Sequence, residues 1–227
     1  MKKVVPRHVA IIMDGNRRWA EAKKVSAYKG HEAGLEALES AVKGAKKLGV
    51  KYLTVYALST ENIRERSKLE ISFLFSLIKK GLAEKLPMLK ENGVQVRFIG
   101  DLGGLPVDIQ KTAKDVEKRL SKNNDLFLSI ALNYGSRDEI VQAVRKINKP
   151  SRTVTSESIE KYLYTTGVPD PDLIIRTGGQ RRLSNFLLWQ SVYSELYFTD
   201  TLWPDFSEKE LKKIAADFSN RVRNFGR

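Results

Sequence analysis

The stretch Asp14-Gly15-Asn16-Arg17-Arg18-Trp19 sets a carboxylate, a glycine and two arginines at the end of an apolar run. A second apolar run ends in Arg176-Thr177-Gly178-Gly179, followed by Arg181, Arg182, Leu183, Ser184 and Asn185. Two more end in Ser59-Thr60-Glu61-Asn62 and in Asn133-Tyr134-Gly135-Ser136. Each group has an ordinary reading. Asp14 can cap a helix opening near Asn16, the paired glycines can form a tight turn, and Arg181 and Arg182 can be solvated surface. Together they favour chemistry. Glycine lets backbone N–H groups approach an anion, and a helix N-terminus adds partial positive charge. Arginine grips phosphate oxygens through two parallel bonds. One carboxylate among such cations suits Mg²⁺, which takes few carboxylates, substrate phosphate oxygens and retained waters. The pattern points to a Mg²⁺-diphosphate site, for one diphosphate or two.

The elements that must position these residues follow from periodicity. Apolar runs predict strands at 9–13, 51–58, 94–99, 126–132, 172–176 and 195–198. A helix is expected over 34–48, with Leu35, Leu38, Val42, Ala45 and Leu48 on one face and Gly49 ending it. Ser67 and Glu70 have capping-box spacing for a helix over 68–91, which Pro87 is expected to bend or break. Helices follow over 107–120, from Ser136 and Glu139 as caps with Ile140, Val141, Val144 and Ile147 inward, over 156–164, and from Ser207 and Glu210 with Leu211, Ile214, Ala215, Phe218 and Val222 inward. Residues 149–153 are the most linker-like stretch, but it is too short to separate a pair of domains. Alternating strands and helices predict one α/β domain over 1–227, its sheet mainly parallel and helix-covered on both faces. Ligands of such sheets bind beyond the strands' carboxyl ends, where the polar groups lie.

The helix over 68–91 carries two apolar stripes: Ile71, Leu74, Phe75, Ile78, Leu82 and Leu86, and on nearly the opposite side Leu69, Phe73 and Leu77. A surface helix needs only one. The second calls for another core helix, a dimer interface or a channel for a hydrocarbon chain. A diphosphate head beside an apolar slot describes an isoprenoid diphosphate.

Composition sets the outer limits. The 227 residues contain no cysteine, which excludes thiol nucleophiles and cysteine-bound zinc, and His8 and His31 are the only histidines. No apolar run approaches a membrane span and no signal-peptide core is apparent, so a cytoplasmic chain is expected. The formal charge is +13, from 40 Lys+Arg against 27 Asp+Glu. Such an excess favours polyanions, but no nucleic-acid-binding signature accompanies it, and nucleic acid is not the expected partner.

HVAIIMDGNRRWA (8–20), GHEAG (30–34), YALSTEN (56–62), ALNYGSRDEI (131–140), DLIIRTGGQRRLSNFLLWQ (172–190) and SELYFTDTLWPDF (194–206) resemble the cis-prenyltransferases, above all the bacterial undecaprenyl diphosphate synthase type. The resemblance spans nearly the whole chain. It implies a Mg²⁺-dependent homodimeric transferase that adds isopentenyl diphosphate to an allylic diphosphate, such as farnesyl or geranylgeranyl diphosphate, making a medium- or long-chain polyprenyl diphosphate that serves as a lipid carrier. It also implies a six-stranded sheet with a hydrophobic tunnel below the strands' carboxyl ends, and peripheral contact with a membrane surface.

Residue roles carry over from that resemblance. Asp14 would hold Mg²⁺ and assist departure of the allylic diphosphate, which Gly15, Asn16, Arg17 and Arg18 would bind, with Trp19 packed near it. His31 would lie near the diphosphates. Ser59, Thr60, Glu61, Asn62, Ile63 and Arg66 match the segment between the two substrates. Asn62 would serve catalysis, orienting isopentenyl diphosphate or relaying a proton, because an amide is a poor base at neutral pH. Arg176, Arg182, Leu183 and Ser184 would hold isopentenyl diphosphate, and Glu195 would help position the metal, across the dimer.

The chain departs from the family pattern at several places. Ala27 stands where many relatives carry arginine, leaving Lys23, Lys24 or Lys29 to supply charge. Ile63 replaces a tryptophan, and the arginine that follows it is displaced, so that Arg66 or Arg64 would serve. Gln180 replaces glutamate, Arg181 replaces histidine, and Asn224-Phe225-Gly226 replaces an Arg-x-Gly signature. These departures motivate a competing reading, a non-catalytic partner subunit. The retention of Asp14, Gly15–Arg18, Asn62 and the RTGG segment argues against it.

Overall fold

Strands alternate with helices along most of the chain. In the computed structural model, which describes residues 4–147 and 153–221, the strands are β1 (His8–Ile12), β2 (Tyr52–Ser59), β3 (Val94–Ile99), β4 (Leu126–Tyr134), β5 (Leu173–Arg176) and β6 (Glu195–Phe198). Between and after them run α1 (Asn16–Ala22), α2 (Ala27–Leu48), α3 (Thr60–Glu65), α4 (Lys68–Glu91), α5 (Val107–Leu120), α6 (Ser136–Ile147), α7 (Ser156–Glu160) and α8 (Glu208–Ser219). The six strands form one sheet in the order β3-β4-β2-β1-β5-β6, and every neighbouring pair is parallel. The expected α/β class and six-stranded sheet are therefore present, and the sheet is wholly parallel.

The central strands are buried on both faces, as parallel strands covered by helices must be. All five residues of β1 are buried. One face packs the main core, in which Val9, Ile11, Leu53, Val55, Leu128 and Ile130 of the strands meet Val42 of α2, Leu82 of α4 and Ile214 of α8. The other face carries Ala10, Ile12, Tyr56, Ala131 and Ile174 against Phe186 and Leu187. There the Tyr56 ring stacks on Phe186, with centroids 4.5 Å apart.

Register places the polar groups together. Ile12 of β1 lies opposite Arg176 of β5, so Arg176 emerges beside the turn that begins at Met13. The chain leaves β1 toward β2 on one side while β5 lies on the other. That is a topological switch point, where open parallel sheets leave a crevice.

Several boundaries differ from expectation. α2 opens at Ala27, not at residue 34, with Ser26 as its N-cap residue. Its glycines admit close packing rather than a break: a Cβ on Gly30 would lie 2.1 Å from the Asn16 carbonyl oxygen. α4 continues unbroken through Pro87. The helix expected over 156–164 spans only Ser156–Glu160. α6 turns a different face inward: Val141 and Val144 are exposed, while Ser136, Glu139, Ala143 and Ile147 are buried. Ser136 and Glu139 are not its caps. Ser136 Oγ accepts from Leu188 N–H, and Glu139 accepts from Tyr134 Oη–H at 2.5 Å, Tyr164 N–H and Gln190 Nε2–H. Ser67 and Ser207 do cap their helices, accepting from the N–H groups of Glu70 and Glu210. Val222, Asn224–Gly226 and all of 149–153 but Thr153 lie outside the described residues.

Candidate active site

At the carboxyl end of β1 the backbone turns at Gly15, whose φ of 120° suits glycine alone, and enters α1. Gly15 is the N-cap residue and no side chain caps the helix, so the Asp14 carboxylate is not taken up by capping. Thr177 fixes this turn from β5. Its Oγ1 accepts from Asp14 N–H at 2.9 Å and donates to the Asp14 carbonyl at 2.7 Å. The Asp14 carboxylate then projects between two guanidiniums, with Oδ1 3.0 Å from Arg18 Nη2 and Oδ2 2.9 Å from Arg176 Nη2. Arg18 also donates to the Gly178 carbonyl, and Arg176 Nη1 to Arg182 O and Ser184 Oγ.

In front of this turn lies a polar chamber of about 280 Å³ walled by Met13, Asp14, Gly15, Asn16, Arg17, Arg18, His31 and Arg66. Three guanidiniums face one carboxylate there, the balance of an anion receptor. Of the two arginines considered for the displaced position, Arg66 lies in the chamber wall and pairs with Glu70 at 2.9 Å, while Arg64 is exposed outside it. Of the lysines considered in place of the charge missing at Ala27, Lys29 is tied to Glu32 and Lys23 lies over the Trp19 ring. His31 is neutral: burial, and then the field of Arg66, lower its pKa to about 4 against a smaller opposing pull from Glu70. Three buried polar atoms of this region have no hydrogen-bond partner among the described residues, namely Asn16 Oδ1, His31 Nε2 and Arg176 Nε. Buried polar groups are nearly always paired, so these atoms mark where a polar ligand belongs.

Behind the chamber, sharing its walls Met13, Asn16 and His31, is an apolar cavity of about 140 Å³. It runs between α2, α4 and the sheet, past Leu35, Leu38, Ala57, Leu77, Leu82 and Met88 among others. Residues from both apolar stripes of α4 reach it, Leu74, Ile78 and Leu82 from one and Leu77 from the other. Leu69 of the second stripe is exposed, and Phe73 meets the Tyr28 ring at 4.3 Å. Leu86 of the first stripe does not line it.

Of the other expected site residues, Ser59, Thr60, Glu61 and Asn62 on one side and Arg176, Arg182 and Ser184 on the other form a second cluster joined to the chamber through the Asp14–Arg176 pair. Ser59 caps α3 by accepting from Asn62 N–H at 3.0 Å. Glu61 accepts from Asn185 Nδ2 at 2.8 Å and from Thr60 Oγ1 at 3.2 Å. Burial pushes the Glu61 carboxyl up, but hydrogen bonds led by that from Asn185 outweigh it and hold the pKa below its usual value. Arg182 donates to Gln180 Oε1 at 2.6 Å. Ile63 packs on the main core and Leu183 on the smaller one. Trp19 lines neither cavity, and its Nε1 donates to Asp205. Glu195 is not brought to Asp14 within one protomer. It stands in register with Leu173, at the opposite end of β5 from Arg176, and pairs with Arg221 at 2.9 Å. Thr177 and Glu70 are participants that sequence reasoning passed over. The Thr177 hydroxyl within RTGG was an available signal, whereas Glu70 was read only as a capping residue.

Residues 12–226 match the family described as "Putative undecaprenyl diphosphate synthase". The chain belongs to this prenyltransferase family. It is 46% identical to an isoprenyl transferase of Aquifex pyrophilus, over 100% of this chain and 98% of the relative. It is 45% identical to one of Thermotoga maritima, over 98% and 97%. Among solved structures it is similar to lavandulyl diphosphate synthase from Lavandula x intermedia in complex with dimethylallyl diphosphate (TM-score 0.93, 36% identity, 98% of this chain and 99% of that one). It is also similar to a probable undecaprenyl diphosphate synthase from Campylobacter jejuni (TM-score 0.83, 34% identity, 98% and 99%). Membership makes this a transferase of isoprenoid chemistry and makes the crevice at Asp14 its candidate active site. Among the described residues no helix is long and apolar enough to cross a membrane.

The donors also bear on a metal. No group of three or more His, Cys, Asp or Glu side chains converges among the described residues. Asp14 is the one carboxylate in the chamber wall, and it is partly exposed. This fits a Mg²⁺ that takes one carboxylate and completes its shell with substrate phosphate and water.

Proposed function

We propose that this chain is a cis-prenyl chain-elongating transferase that condenses isopentenyl diphosphate onto an allylic diphosphate, farnesyl or geranylgeranyl diphosphate, to give a medium- or long-chain polyprenyl diphosphate used as a lipid carrier. One observation carries the reading: the cationic chamber at Asp14 shares walls with an apolar cavity leading under the sheet. The allylic diphosphate sits in the chamber with its tail in the cavity, the hydrophobic tunnel expected at the strand ends. A neighbour solved with dimethylallyl diphosphate supports an allylic substrate.

Arg17, Arg18 and Arg66 offset charge on the allylic diphosphate, the N-terminus of α1 faces it, and His31 presents Nε2 as a neutral donor. Asp14 would hold Mg²⁺, with Glu195 of a partner subunit assisting; the ion would supply charge stabilisation to the departing diphosphate. Arg176, Arg182 and Ser184 bind isopentenyl diphosphate beside it. Asn62, at the first turn of α3, orients that substrate and does not act as base. The apolar walls exclude water from the allylic cation left when the diphosphate departs.

A homodimer fits the surface. β6 is an edge strand, and Leu196 on it, Val192, Leu188, Val141 and Val144 are exposed apolar side chains. Exposed edges and apolar residues of this kind mark association surfaces. The basic surface suits peripheral contact with an anionic membrane that receives the product.

The test is incorporation of labelled isopentenyl diphosphate by the purified chain alone, with Mg²⁺ and either primer. Extractable polyprenyl products, lost on chelation, support the reading. Their absence with both primers overturns it in favour of a non-catalytic partner subunit.

A further inference from the structure

The loop after β5 holds one residue to which the proposed mechanism gives no role. Asn185 has φ 63°, in the left-handed region that asparagine tolerates better than most residues. It follows Ser184, which accepts from Arg176. Its side chain faces the other way. Asn185 Nδ2 donates to Glu61 Oε1 at 2.8 Å, and its Oδ1 accepts from Arg137 N–H at 2.9 Å. Its carbonyl accepts from Ser136 N–H at 2.8 Å. One residue thus ties the loop after β5 to the first turns of α3 and α6. Glu61 extends the link to Thr60, which lies 3.2 Å from Asp138 of α6. The junction is closely filled: a Cβ on Gly135 would lie 2.7 Å from Thr60 Oγ1 and 2.8 Å from Asn185 Nδ2.

We infer that Asn185 is a positioning residue for the isopentenyl diphosphate subsite, locking the loop that carries Arg182 and Ser184 to the helix start that carries Asn62. The inference rests on the function proposed above and adds a residue to it. Asn185 touches neither the polar chamber nor the apolar cavity, so its effect is confined to one substrate. A bond to an ionised carboxylate is worth enough that its loss shifts a binding constant about ten- to hundredfold. Two variants separate the side chain from the backbone. Asn185→Gly keeps the left-handed backbone and the carbonyl bond but deletes both side-chain bonds. Asn185→Asp keeps the Arg137 bond and sets a carboxylate against Glu61.

The experiment measures steady-state kinetics of both variants, with allylic diphosphate binding measured separately by calorimetry and folding checked by thermal melts. Prenyl transfer by the unmodified chain is established first, so failure of the functional reading shows there and not in the variants. The expected result is a KM for isopentenyl diphosphate raised at least tenfold in both, more in Asn185→Asp, with affinity for the allylic diphosphate within twofold. Adding Glu61→Gln to Asn185→Asp restores a donor–acceptor pair in reverse and lowers that KM again. An unchanged KM in a folded Asn185→Gly variant, or equal weakening of both substrates, overturns the inference.

Discussion

Asp14 sits within hydrogen-bonding distance of two of the cations that a diphosphate would use, and this has a measurable consequence without any metal. Consider Asp14→Asn, which keeps the shape and the backbone clamp from Thr177. The Arg176 side chain is only 6% exposed. Removing one partner of a fully buried ion pair costs about 3–5 kcal/mol. Asp14 is 28% exposed, and Arg176 keeps its bonds to Arg182 O and Ser184, so about 2 kcal/mol is the fitting figure. The Arg18 pair, 43% exposed on the arginine side, adds well under about 1 kcal/mol. The variant should therefore lose about 2–3 kcal/mol in urea unfolding, with an unchanged slope. Inorganic pyrophosphate should then stabilise it more than it stabilises the parent chain in chelator. A like charge about 6 Å from a bound phosphate, at an effective dielectric of about 40, repels it by roughly 1.4 kcal/mol, or tenfold in Kd. Unfolding midpoints with and without pyrophosphate, read through ligand linkage, give both numbers. Equal midpoints, or weaker pyrophosphate binding by the variant, would refute the idea that carboxylate and anion compete for the same guanidiniums.

Three further outcomes are expected. His8 is buried, with its Nδ1 2.6 Å from the Pro169 carbonyl and its Nε2 2.8 Å from Thr54 Oγ1, and burial lowers its pKa to about 4. The unfolded state then binds the proton first, between pH 6.5 and 4, so His8 alone makes stability fall as pH drops through that window, by about 2 kcal/mol at pH 5; His31, lowered to the same value, adds a similar slope, so in denaturant titrations His8→Gln should remove about half of it. Ala57 is a small residue of the cavity wall; Ala57→Leu should shorten the products, seen by chromatography, without weakening binding of the primer's diphosphate. Leu196→Lys on the edge strand should convert a dimer to monomer in light scattering, and turnover should fall with it because the adjacent Glu195 is proposed to act across that contact.

What was legible in the sequence was whatever repeats locally. Alternating apolar runs and amphipathic windows located all six strands, and the polar groups at their ends converge as the parallel-sheet rule requires. Errors arose where a residue's partner is remote. Glu139 has the spacing of a cap, yet its partners include Gln190, 51 positions away, and the pull of that buried cluster turns α6 so that Val141 and Val144 face outward. The helix expected from residue 34 opens at Ala27, and Gly30 and Gly34 are helical residues whose missing side chains make room for Asn16. Trp19, placed near the substrate by the resemblance, donates its Nε1–H to Asp205, a partner 186 positions away that no local pattern shows. Strand register within one protomer sends Glu195 away from Asp14; the role expected of it lies across the dimer.

The chamber's charge does not come from the start of α2. Here α2 opens on Ala27 itself, and the nearby Lys29 is engaged with Glu32. The chamber takes its third guanidinium from Arg66, at the junction of α3 and α4. That cation is half-buried and held by Glu70, and its field helps keep His31 neutral. A neutral imidazole still donates one hydrogen bond to phosphate, and it does so without the penalty of burying another charge. Three arginines facing Asp14 therefore leave enough net positive charge for a diphosphate, while the segment carrying Asn62 gains a direct stake in the anion.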